Sequence, residues 1–251
     1  MIFRKQKNSS IALPAMSSER QQLIECVNRL QLELAELTAE REDLQRRVNG
    51  FEVQYHTRLG HYIGRILELR RERAGKQAES HSEFDSRYQE AVEDYNSWHD
   101  TSSAIRNKKI FSLTEDDLVL LKKTFRKAAG KCHPDVARNE DKEKSHQYFV
   151  SLRQAYERND LDAVVSLAQQ IESEHIIQQD PEKAELESLQ KAIDGLENSV
   201  GKVQQEINKL VESESYRVLS VYPDLNGYFE EREKELILQC NELSQYMKVE
   251  A

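Results

Sequence analysis

The sequence is poor in the residues that punctuate a chain. Four prolines and eight glycines in 251 residues leave few places for tight turns. A sheet protein of this length needs many more of both, and more β-branched residues besides. Three cysteines, Cys26, Cys132 and Cys240, stand far apart with no paired spacing. That excludes a disulfide framework and a zinc site, and it fits a reducing compartment, so a cytoplasmic location is expected. Cys132 beside His133 supplies two adjacent donors where a tetrahedral metal site needs four. No apolar run approaches the ~18 residues of a membrane span. Residues 1–18 carry Arg4, Lys5 and Lys7 without an apolar core for a secretory signal, and are expected to form a disordered tail. Also missing are a Gly-rich phosphate loop, a nucleophile elbow and carboxylates paired at catalytic spacing. Neither an enzyme nor a bound cofactor is expected.

What the chain does have is charge and helical periodicity. Charged residues make up 32%, aromatics only 7%, and the net charge is −9. Such a composition favours long helices with solvated faces over one compact globule, so the predicted class is all-α. Leu23, Val27, Leu30, Leu34, Leu37, Leu44, Val48 and Phe51 keep a three-four alternation, with Arg41 filling one inward position. Leu186, Leu189, Ile193, Leu196, Val200, Val203, Ile207 and Leu210 repeat it without interruption. About four heptads in each block predict coiled coil. The two blocks can pair antiparallel within one chain, or in parallel between two chains as a homodimer.

Between the blocks the pattern changes. Tyr55, Leu59, Tyr62, Ile63, Ile66, Leu67 and Leu69 make a broad apolar face that needs more than one partner helix, followed by Arg70, Arg71 and Arg73. Gly75 and the polar run to Ser82 predict a break. Phe84, Tyr88, Ala91, Tyr95 and Trp98 then recur at helical spacing and are expected to be core. Beyond the second block, Tyr222-Pro223-Asp224 interrupts the coil. Asp224 is placed to cap a last helix through about Met247, with Phe229, Leu236 and Leu238 for packing. The expected organisation is a tail (1–18), a long helical arm (19–75), an aromatic helix (80–107), a central domain (110–178), a second coil (182–215) and a C-terminal helical segment (216–251).

The central domain carries the most specific signal. Thr114 and Asp117 have capping-box spacing, and Glu115, Asp116 and Asp117 put acids where a helix N-terminus favours them. Leu118, Leu121, Phe125, Ala128 and Cys132 form one stripe. Lys122, Lys123, Arg126, Lys127 and Lys131 fall on the other side with no acid among them, a local reversal of sign in an acidic chain. Pro134 forces His133 out of helical geometry, so the helix should end near Cys132. After a polar loop, Tyr148 or Phe149, with Leu152, Ala155 and Tyr156, makes a second stripe at helical spacing. Two such helices joined by a short loop bury their stripes by packing antiparallel. Asn159 or Asp160 can then cap a further helix with Leu161, Val164, Val165, Leu167, Ala168 and Ile171.

The loop tripeptide His133-Pro134-Asp135 is expected by chance in roughly one in a hundred chains of this length. Its placement makes it informative. A basic helix, then His-Pro-Asp, then Phe149-x-x-Leu152-x-x-Ala155-Tyr156 resembles the J domain of DnaJ-like co-chaperones, over Thr114 to about Asn159. The fold implied is an all-α protein in which long coiled-coil or bundle arms flank a J-like helical hairpin. The resemblance implies a DnaK-type chaperone as partner, whose acidic surface would meet Lys122, Lys123, Arg126, Lys127 and Lys131. It implies that His133, Pro134 and Asp135 trigger ATP hydrolysis in that partner, and that the arms hold an unidentified client. The family's opening helix, with its Tyr-x-x-Leu-Gly segment, has no counterpart before Thr114; Ile110 to Leu113 offers a packing contact without that motif. A Gly/Phe-rich linker and Cys-x-x-Cys pairs are also lacking. The alternative is a coiled-coil scaffold with a degenerate, structural hairpin. A nucleic-acid contact through the basic helix is disfavoured by the net charge.

Overall fold

The computed structural model describes residues 12–80, 84–106, 110–137, 141–173 and 185–249. Among them it is all-α, with nine helices and no strand. They are α1 (Ala12–Arg58), α2 (Gly60–Ser80), α3 (Asp85–Arg106), α4 (Glu115–Cys132), α5 (Lys142–Glu157), α6 (Leu161–Ser173), α7 (Leu186–Glu212), α8 (Glu214–Val221) and α9 (Leu225–Val249). No helix among the described residues is long and apolar enough to cross a membrane. The chain divides into two compact units, one of Met1–Leu44 with Ser112–Leu210, the other of Gln45–Phe111 with Val211–Ala251.

In the first unit the two heptad blocks meet within one chain. Ile24, Val27, Leu30 and Leu34 of α1 form a buried cluster with Leu189, Ile193 and Leu196 of α7. Farther along both helices Arg41 pairs with Glu206. Advancing along α1 thus means advancing along α7, so the helices run parallel, not antiparallel as one expectation had it. Three-four spacing selects an apolar face but carries no information on direction, because the stripe reads the same both ways.

A second core joins α4, α5 and α6. Leu121, Phe125, Ala128, Ala129 and Cys132 pack with Phe149, Leu152, Ala155, Tyr156, Val164 and Ile171. Phe125 stacks on Tyr156 at 4.2 Å and His133 meets Phe149 edge-on at 4.9 Å, pairings that run in opposite directions along α4 and α5. The hairpin is antiparallel, as its stripes require. Asn159 (φ 58°) takes the left-handed conformation that ends α5, which Asn tolerates, and Asp160 Oδ1 accepts from the Ala163 amide to begin α6. Ala39 of α1 enters the same core, and a Cβ placed on Gly130 would lie 3.8 Å from that of Ala35. Thus α1 is covered on two sides, by α7 and by α4.

The second unit is built around Phe51, Leu59, Ile66, Phe229 and Leu236. The broad face of α2 meets α3 and α9, which satisfies its need for two partners. Asp224 caps α9 as expected, accepting from the amides of Asn226 (3.0 Å) and Gly227 (3.2 Å).

Several expectations need correction. Helix α1 begins at Ala12, so 12–18 are helical; 1–11 lie outside the described residues. The arm from 19 to 75 is two helices meeting at Leu59, a residue with no exposed surface. Gly75 does not break α2, which continues to Ser80; a side chain there would meet the Tyr88 ring at 3.3 Å. The aromatic helix is not core. Tyr88 is 40% exposed, and Ser102 is the buried residue of α3. Its rings serve neighbouring polar groups instead, with Arg71 over Tyr95 at 4.2 Å and His56 stacked on Trp98 at 4.6 Å. Leu238 points away from its unit's core and is 61% exposed, while Phe229 and Leu236 are buried.

Candidate functional site

Helix α4 positions the site from its first residue. The Thr114 hydroxyl accepts from the Asp117 amide (3.2 Å) and donates to the Asp117 carboxylate (2.7 Å), which satisfies an orphan amide and fixes the start. At the other end His133 adopts φ −65°, ψ 127°, the extended geometry that a following proline demands. The His133 carbonyl then accepts from the amides of Val136 (3.0 Å) and Ala137 (3.2 Å), closing a tight turn over Pro134 and Asp135. Val136 and Ala137 are buried beneath it.

The three residues of the turn have different surroundings. His133 is buried against Phe149, and its Nδ1 accepts from the Asp135 amide at 3.3 Å. Burial pushes the imidazole pKa below its ordinary value, the charge of Arg41 pushes it further, and Asp135 opposes both. The acceptor role of Nδ1 requires the neutral ring, so packing and hydrogen bonding agree. Pro134 is half-buried. Asp135 projects outward, with its side chain 42% exposed and one carboxylate oxygen 3.8 Å from the imidazole. Cys132, just before the turn, has no exposed surface, and burial pushes its thiol pKa up to about 12. A protonated, buried thiol is neither nucleophile nor metal ligand, and no group of three or more metal-binding side chains occurs among the described residues.

The five cations of α4 do not form one free face. Lys122 reaches Asp43 of α1 at 3.1 Å. Lys131 and Lys127 both reach Glu172 of α6, at 2.8 and 3.4 Å, and together hold its carboxyl below the usual range, Lys131 contributing most. Lys123 and Arg126 are exposed and carry neither hydrogen bond nor ion pair among the described residues.

Sequence reasoning missed the groups behind this surface. Asp43 also receives the Tyr156 hydroxyl (3.5 Å), tying α1 to α5. Glu42 has no exposed surface; Arg41 binds it, and Arg153 of α5 approaches to 3.4 Å. Thr38, Ala39, Glu42 and Asp43 lie off the heptad stripe and read as solvated positions. Glu172 follows Ile171 and reads the same way. Only the assembled unit brings them to the basic helix. Leu113, from the segment in place of an opening helix, packs on the hairpin core without being helical. Compared with protein-family models, with curated proteins and with solved structures, the chain matches none.

Proposed function

We propose that this protein is a non-enzymatic J-domain co-chaperone, which stimulates ATP hydrolysis by a DnaK-type chaperone and brings it to a client held by the helical body in the cytoplasm. The observation that carries the reading is Asp135. It is the outward tip of a turn whose histidine is locked inward, at the end of a helix whose Lys123 and Arg126 face solvent unengaged. A hairpin that served only as a spacer needs none of these together.

In this reading Lys123 and Arg126 make the first encounter with the acidic surface of the chaperone, and steering through them is sensitive to salt. Lys122, Lys127 and Lys131 follow by exchanging Asp43 and Glu172 for the partner's carboxylates; exposed ion pairs of this kind hold weakly and exchange readily. Asp135 then engages the partner while His133, fixed on Phe149, keeps the turn rigid. The chain itself does no bond chemistry and acts by biasing a conformational equilibrium in the partner's nucleotide cycle. Helices α1 and α2 close the apolar faces of their own units, and a client would bind outside those seams. The parallel α1–α7 seam is filled within one chain, so a homodimer would require a different face. Nucleic acid is not the partner proposed, because the chain is acidic overall, with a net charge of −9.

A second reading, a scaffold with a purely structural hairpin, draws on the pairing of Lys122, Lys127 and Lys131 with acids and on the burial of His133. Single-turnover ATP hydrolysis by a DnaK-type chaperone separates the two. Stimulation by the wild type that Asp135→Asn and Lys123→Glu/Arg126→Glu both abolish is the expected result. These residues are exposed, so the variants keep the fold. A folded wild type that stimulates no chaperone from its own source leaves the scaffold.

A further inference from the structure

The second unit contains a cleft of about 590 Å³ formed by the last turns of α1 and α3, by α8, and by the first turns of α9. That is the size of sites that hold small organic molecules. Phe51, Tyr55, Tyr222 and Tyr228 supply a continuous aromatic wall, with Phe51 to Tyr55 at 5.9 Å, Phe51 to Tyr228 at 6.0 Å and Tyr222 to Tyr228 at 4.9 Å.

Charge in the cleft is one-sided. Glu52, Glu214, Glu231 and Glu235 line it with Arg232 as the one formal cation. Arg232 is taken up by Glu235 at 2.6 Å, and Glu52 accepts from the Ser215 hydroxyl at 3.4 Å. Glu214 on α8 and Glu231 on α9 have no hydrogen bond or ion pair among the described residues. His56 also lines the cleft. It is 7% exposed, and its Nδ1 is buried without a hydrogen-bond partner. Burial and the charge of Arg106 lower its pKa, so the ring is neutral and can accept an N–H.

We propose that this cleft binds a linear organic polycation of the di- or triamine class. Aromatic faces and carboxylates together favour an alkylammonium, through cation–π attraction at the rings and charge-assisted hydrogen bonds at the acids. The two unpaired carboxylates belong to different helices, which suits a ligand with separated amines. A divalent metal fits poorly, because no three metal-binding side chains converge among the described residues. A neutral ligand would strip water from the acids without replacing it. This inference stands apart from the chaperone reading, since none of its residues belongs to the hairpin.

Isothermal titration of the full chain with spermidine tests it. Saturable one-to-one binding is expected, with no binding of the neutral isostere 1,8-octanediol. Glu214→Gln with Glu231→Gln should weaken it about tenfold, near threefold for each lost pair. Tyr222→Leu, at an exposed position, should weaken it about fivefold. Glu93→Gln with Glu197→Gln removes two exposed acids outside the cleft and should change affinity less than about twofold. Absence of saturable binding overturns the proposal. So does equal weakening by the control pair, which would reduce the effect to the general attraction of an acidic chain.

Discussion

Replacing Arg41 by leucine should destabilise the first unit by about 3 kcal/mol, and adding Glu42→Leu should restore most of the loss. The reasoning starts from unequal burial. The Glu42 side chain is 1% exposed and that of Arg41 13%. Arg41 bonds both Glu42 and Glu206, whereas Glu42 has Arg153 as its other cation, at 3.4 Å, and its Oε2 has no hydrogen-bond partner. Without Arg41, a carboxylate stays sealed between helices with one imperfect partner, the most expensive outcome for a broken buried pair. Without Glu42, Arg41 keeps Glu206 near the edge of the seam, and the loss should be nearer 1 kcal/mol. Two leucines leave no buried charge and extend the apolar seam, so the double variant should fall within about 1 kcal/mol of wild type. Urea unfolding followed by far-UV circular dichroism gives the four stabilities, provided the slope stays constant. The cycle should yield a coupling energy above about 2 kcal/mol. Additive single costs, or an Arg41→Leu cost below 1 kcal/mol, would refute the view that this polar layer is held by mutual compensation.

Freeing the basic helix should help a chaperone bind. Asp43→Asn with Glu172→Gln should lower the half-saturating concentration for ATPase stimulation about threefold at low salt, and a higher value would show that these acids position the cations instead of masking them. Stability should fall as pH drops below about 6.5. The unfolded imidazole of His133 then takes up protons that the folded, buried ring resists, so the unfolded state binds more protons. His56 is depressed in the same direction, so the contribution is isolated by NMR titration of each ring, and a His133 value at or above 6.5 would contradict the packing. Cys132 should resist maleimide in the native protein at neutral pH while half-buried Cys26 reacts; fast labelling of Cys132 would mean that the base of the turn opens.

Much of the hairpin was legible because its signals are local. Thr114 with Asp117, the stripe from Leu118 to Cys132 and the rule that proline imposes on His133 each act within a turn or two. The helix they predict, Glu115–Cys132, is the one observed. Asp224 announced α9 for the same reason. The aromatic helix was misread because period alone cannot separate a core face from a face that serves neighbouring charges. Tyr95 under Arg71 and Trp98 against His56 keep helical spacing without deep burial. Gly75 read as a break because a glycine's use at a close approach depends on Tyr88, a residue on another helix.

By itself, then, the sequence determined an all-α protein, the bounds of its capped helices, the two heptad blocks, and the tripeptide at the end of a basic helix. Those follow from backbone sterics and from periodicities that neighbouring residues enforce. Tertiary structure alone decided that α1 and α7 run parallel and that Glu42 is buried. It also decided that Asp43 and Glu172 occupy three of the five cations. Partnership across a seam depends on side chains far apart in the chain: Lys122 and Asp43 are 79 residues apart, while Lys127 and Lys131 meet Glu172, 45 and 41 residues on, only because a third helix closes over the hairpin. No local pattern encodes which charges will meet when the helices do.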